Sequence, residues 1–206
     1  QSQMLIYSVA IIKHIVDDSD LILDIRYMLD KEPSRFRNNI RETITFLTRT
    51  LSETVPHCTL NQIHEEIMGK VYICHITVRS DEYGYAVITD EDCPVRLIIK
   101  MFSELDMIIN DFKPILDKMV NDNKKIELSP IDPLLKKYSN PQETDKILKV
   151  QKNLDDTKII MYNTIEKVLE RGVKIETLVD KSNDLHNQSK LFYKRARKLN
   201  RCCVIL

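Results

Sequence analysis

The residues best suited to covalent chemistry are two adjacent thiols in the ending Cys202-Cys203-Val204-Ile205-Leu206. Cys203-Val204-Ile205-Leu206 has the form of a C-a-a-X box, with two aliphatic residues inside and Leu last, which favours geranylgeranylation of Cys203. Cys202 then stands where a reversible palmitoyl chain would be added. A single lipid gives marginal, reversible membrane binding, and a second makes anchoring stable. Six basic residues and no acidic one lie between Lys190 and Arg201. Each would add about 1 kcal/mol at an anionic surface.

Arg171 is the second residue with chemical consequence. It is the one charged member of a stripe formed by Ile147, Val150, Leu154, Thr157, Met161, Thr164, Val168, Arg171, Ile175, Leu178, Ser182, Leu185, Ser189, Phe192, Ala196 and Leu199. The steps alternate between three and four and average about 3.5, the heptad period of a left-handed coiled coil. A buried guanidinium costs several kcal/mol unless its donors are satisfied. In a seam, Arg171 would therefore need acceptors on partner helices and would fix register and partner choice more than stability. An exposed arginine on an imperfect seam is the alternative.

Other constellations do not support catalysis. Three glycines (Gly69, Gly84, Gly172) leave no phosphate-binding loop and no dinucleotide fingerprint. His64-Glu65-Glu66-Ile67-Met68 lacks the second histidine of a zinc protease. Cys74 and His75 are neighbours on an expected strand and so face opposite sides. The pairs Asp17-Asp18 and Asp155-Asp156 read as a turn and a polar helix face. All of these are taken as solvated or structural, and no enzyme, cofactor or metal site is expected. Cys58, Cys74 and Cys93 lack zinc-site spacing and read as buried thiols in a reducing cytosol.

These residues need elements to position them. The 206 residues allow one domain of ordinary size with an appendage. Thirty-one basic and 31 acidic residues balance to zero, so there is no bulk attraction to nucleic acid. No stretch approaches the roughly 18 consecutive apolar residues of a spanning helix, and the start does not read as a signal peptide.

Residues 4–16 are rich in β-branched and apolar types and read as a strand, and residues 21–27 pair with it across Asp17-Asp18-Ser19-Asp20. From about Phe36 to Thr54, Ile40, Ile44, Leu47 and Leu51 share a helical face. Phe46 lies roughly 120° from that stripe. It either covers a sheet edge or lines a docking groove. Three strands follow at residues 61–68, 70–79 and 83–89, then a helix from Pro94 to about Asn110. The order β-β-α-β-β-β-α predicts an α+β domain over residues 1–110, with an antiparallel sheet and flanking helices. Residues 111–140 form a connector with a short helix near Leu134–Tyr138. The segment 141–201 is expected as one long coiled-coil helix, and residues 202–206 as the lipidation signal.

Val168-Leu169-Glu170-Arg171-Gly172 and the stripe on both sides resemble the motif of an R-SNARE, with Arg171 at the central ionic layer and the other fifteen positions as layers. The β-β-α-β-β-β-α order resembles the longin domain, a profilin-like fold with a five-stranded antiparallel sheet. Asp156-Thr157-Lys158-Ile159-Ile160, Gln188-Ser189-Lys190-x-Phe192-Tyr193-Lys194, Ala196-Arg197-Lys198 and the double cysteine are similar to the synaptobrevin homologues of the YKT-six type. The resemblance implies vesicle docking and membrane fusion, through a parallel four-helix bundle with three Q-SNARE helices. It also implies a closed form in which residues 141–199 fold back over the longin domain and shelter the prenyl chain, with Phe46 in the groove. A cytoplasmic pool and a lipid-anchored pool on the cytosolic face of Golgi, ER-derived vesicles, endosome or vacuole would follow. Family members more often end in Met, which leaves farnesyl and geranylgeranyl both open. A prenylated coiled-coil tether or adaptor is the alternative function. A small GTPase shares such a tail but lacks a phosphate loop here.

Overall fold

The computed structural model describes residues 6–67, 69–119, 126–150, 158–169 and 172–201. β1 (Ile6–Lys13) and β2 (Leu21–Tyr27) pair antiparallel, with Ala10 opposite Ile25 and Ile12 opposite Ile22. A 3-10 turn at Ser34–Phe36 follows Pro33 and runs into α1 (Arg37–Ser52). β3 (Leu60–Ile67), β4 (Lys70–Val78) and β5 (Tyr83–Thr89) form an antiparallel meander, and β5 closes against β1. Gly69 takes φ +75 in the β3–β4 turn, where the missing Cβ removes the usual penalty. Gly84 is required by close approach instead. A Cβ at that position would lie 2.6 Å from the Thr77 carbonyl oxygen.

α2 (Val95–Leu116) runs past the expected end at Asn110 and carries Pro114 in its last turns. A proline so near the end removes little of the helix's hydrogen bonding, and Leu116 is fully buried beyond it. α3 (Ile131–Tyr138) and α4 (Pro141–Val150) follow. The chain then adds β6 (Ile159–Tyr162), a 3-10 turn at Ile165–Lys167, α5 (Ile175–Lys181) and α6 (Asn187–Arg201).

The sheet order is β2-β1-β5-β4-β3-β6. β1 alternates between two cores, with Val9 and Ile11 on the α2 side and Ala10 and Ile12 on the α1 side. Covered on both faces, its sequence shows no polar alternation. The α1 side also takes Ile165, Ile175, Val179, Leu185, Tyr193 and Ala196. The α2 side takes Leu128, Ile131, Leu134, Leu135 and Tyr138. Asp24 of β2 accepts the Leu128 N–H at 2.8 Å, which ties that segment to the edge of the sheet.

The α+β class and the five antiparallel strands are as expected. Two features differ. A sixth strand, β6, lies parallel to β3 from Leu60↔Ile159 to Ile63↔Tyr162. The segment expected as one continuous helix is divided among α4, β6, a 3-10 turn, α5 and α6. An isolated helix with an apolar seam has nothing to bury it against, and tertiary contact overrides helix propensity. Ile159 and Ile160 favour a strand once an edge is offered. Gly172 at φ +93 and the Ser182–Asp184 turn supply the breaks, with the Asp184 N–H donating to Ser182 Oγ at 3.1 Å.

Candidate functional site: the face that receives the C-terminal segment

Glu42, Phe46, Arg49 and Glu53 recur at steps of four, three and four along α1, on a side separate from Ile40, Ile44, Leu47 and Leu51. Three of the four hold the C-terminal segment. Arg49 forms a forked ion pair with Asp184, Nε to Oδ2 at 2.9 Å and Nη2 to Oδ1 at 3.2 Å. It also donates to the Asp20 carbonyl, which joins this point to the start of β2. Glu42 accepts the His186 N–H at 2.9 Å, just ahead of α6. It therefore takes up a backbone N–H at the start of a helix that is distant in sequence. Burial opposes ionisation of Glu42, but the bonds from the His186 N–H and the Ser189 hydroxyl outweigh it and hold its carboxyl below the usual range. Phe46 is 3% exposed and meets Tyr193 edge to face, with ring centroids 5.9 Å apart. Phe36 and Phe192 make a second ring contact at 5.7 Å.

The other wall is β3. Ile63 and Ile67 face the α1 core, and Glu65 sits between them at the same alternation, 5% exposed. Its carboxylate accepts the Tyr193 hydroxyl at 2.8 Å, a guanidinium N–H of Arg197, and the backbone N–H of Ile165. The other arm of Arg197 reaches Glu166. Burial pushes the Glu65 carboxyl up, against the pull of Arg197 and the Tyr193 hydroxyl. Burial and the neighbouring Glu65 likewise raise the Tyr193 phenol well above its ordinary value.

The structure does not gather the expected seam on one face. Ile147 is half-buried on α4, against the α2 core. Met161 and Thr164 are exposed. Val168, Leu178, Ser182 and Phe192 are half-buried, and Ile175, Leu185, Ser189 and Ala196 are buried. The side chains of Val150 and Leu199 lie outside the described residues, as do Leu154, Thr157, Arg171, Cys202 and Cys203 altogether. Of the residues named in advance, Phe46 is the one brought directly against the segment.

Glu42, Arg49 and Glu65 were missed by sequence reasoning. Glu65 is buried rather than solvated; the signal was a carboxylate at the core-facing step of Ile63-x-Glu65-x-Ile67. Cys74 and Cys93 are buried, and burial pushes both thiols up to about 12. Cys58 is exposed, contrary to expectation, in a turn where it takes φ 57. No group of three or more His, Cys, Asp or Glu among the described residues could hold a metal.

Comparison with known proteins decides what this architecture is. The family model described as Synaptobrevin matches residues 146–205. The Synaptobrevin homolog YKT6 of Debaryomyces hansenii is 36% identical over 172 residues, covering 82% of this chain and 84% of its own length. That of Saccharomyces cerevisiae is 35% identical over the same shares, and that of Yarrowia lipolytica 33%. The chain belongs to the YKT6-type synaptobrevin homologues. It is a longin R-SNARE with a role in membrane trafficking and vesicle fusion. The YKT6-type family is non-enzymatic and needs no cofactor. Among the described residues no helix is long and apolar enough to cross a membrane.

Proposed function

We propose that residues 141–201 contribute one helix to a parallel four-helix bundle with three Q-SNARE helices, with Arg171 in the central ionic layer. The stripe from Ile147 to Leu199 supplies the other layers, and burial of its apolar members drives zippering toward the C-terminus. Residues 1–110 act as the longin domain, 111–140 as the connector, and 202–206 as the lipidation signal. Cys203 carries a prenyl chain and Cys202 a palmitoyl chain. The protein cycles between a cytoplasmic pool and the cytosolic face of endomembranes.

The structure described above is the closed, inhibited form on this reading. The supporting observation is the burial of Leu185, Ser189 and Ala196 where the segment packs on α1 and β3, which withholds C-terminal layer residues from partners. The parallel pairing of β6 with β3 is incompatible with a continuous helix through Ile159–Tyr162. Opening must therefore unzip β6 and release α6 before the helix completes. The test is the rate at which the full chain and its Phe46→Glu variant assemble with three soluble Q-SNARE helices. Faster assembly of the variant is the expected result, and equal rates would refute inhibition.

A further inference from the structure

We infer that α6 carries a second recognition face, Tyr193 and Arg197, which serves the closed state alone through a buried clasp on Glu65. The inference rests on the closed-state reading and names the residues that separate locking from bundle assembly. Tyr193 and Arg197 are four apart and stand on one side of the helix. At 100° per residue they lie roughly 90° round from Ser189, Phe192 and Ala196. Neither belongs to the heptad stripe, yet Tyr193 is fully buried and the Arg197 side chain is 13% exposed. Phe192, a stripe member, is only half-buried on the same helix. The stripe members Ser189 and Ala196 are buried as well, so the longin domain holds this helix by part of its stripe and by the adjoining side that carries Tyr193 and Arg197.

Further back, Val179 and Ile165 are fully buried off the stripe, Ile175 and Leu185 are buried on it, and the stripe residues Met161 and Thr164 are exposed. The clasp joins three residues from two parts of the segment to one carboxylate. Glu65 takes the Ile165 N–H ahead of α5, together with the Tyr193 hydroxyl and Arg197 from α6. Arg197 is tied back to Glu166 next to Ile165. A carboxylate buried at the core-facing step of β3 is costly without such partners. Its place there gives the closed state specificity for this segment. Once α6 leaves, Glu65 is opened to water and its charge is relieved, so the clasp imposes no standing penalty on the open form.

The test uses the full chain with Arg197→Gln and, separately, Tyr193→Phe, which removes only the hydroxyl. Amide hydrogen exchange across residues 187–198 of the free protein is expected to quicken about tenfold in each. Bundles assembled with three soluble Q-SNARE helices should melt as the parent chain does. Unchanged exchange overturns the clasp. Quickened exchange with an equally weakened bundle overturns the separation of faces. If exchange quickens but Phe46→Glu leaves the assembly rate unaltered, the clasp stands and the inhibitory reading falls.

Discussion

Arg49 and Asp184, 135 residues apart in sequence, form a forked ion pair at 2.9 Å that joins α1 to the turn between α5 and α6. Both side chains are less than a fifth exposed, at 18% and 17%. The pair is neither a solvated surface contact nor a fully desolvated one. Asp184→Asn should weaken closure by about 1–2 kcal/mol, between the values typical of exposed and buried pairs. A matching loss of protection for the Asp184 region in hydrogen exchange would confirm it. If Asp184→Asn and Arg49→Gln add independently in a double-mutant cycle, the pair does not couple the two parts.

Phe46 bears on the closed state through packing. Phe46→Ala removes a nearly fully buried ring against Tyr193, a change that ordinarily costs about 3–5 kcal/mol. Phe46→Glu adds a carboxylate to the same site. The expected outcome is a larger radius of gyration by X-ray scattering with far-ultraviolet circular dichroism largely kept. An equally compact Phe46→Glu chain would remove Phe46 from the closure.

Acid sensitivity should run through His75. Buried on β4 between Gln62 Nε2 and Thr89 Oγ1, each at 3.0 Å, it has its pKa lowered from 6.5 to about 3, first by burial and then by His64. The neutral ring is favoured in the fold, so the unfolded chain binds the extra proton between those two values. This contribution to stability is whole above pH 6.5 and is lost as pH falls toward 3, at up to about 1.4 kcal/mol per unit. Denaturant titrations from pH 7 to 4 should show a shallower decline for His75→Gln than for the parent. Parallel declines would contradict the assignment.

Gly84→Ala tests the sheet itself. Its new methyl would meet the Thr77 carbonyl at 2.6 Å, backbone that cannot swing aside. A cost of about 1–3 kcal/mol is expected from overpacking, read as a lower melting temperature. An unshifted melt would mean that β4 and β5 separate more readily than their pairing indicates.

Much of this architecture was legible because it is local. Ile40, Ile44, Leu47 and Leu51 announce α1 by periodicity, and Pro94 after three acidic positions announces α2. β6 was hidden for a physical reason: Ile159-Ile160-Met161-Tyr162 suits a strand edge as well as a heptad seam, and only the presence of β3 decides between them. Arg49 and Glu42 carry no local sign of their role. Their partners, Asp184 and His186, are remote in sequence, so no window along the chain could join them. Phe46 was visible because an aromatic off its own helix's core stripe must find a covering elsewhere. Glu65 carried a comparable local signal, a charge at an apolar alternation, but its meaning depends on Tyr193 and Arg197 arriving from the far end of the chain.

The most direct measurement is the stoichiometry and heat resistance of what the full chain forms with three soluble Q-SNARE helices, by native mass spectrometry and thermal melting. A heat-stable 1:1:1:1 assembly, lost or reordered when Arg171 is replaced by Glu, is the expected result. A chain that only self-associates, or that stays closed and unassembled even as Phe46→Glu, would contradict the R-SNARE bundle and leave a membrane tether in its place.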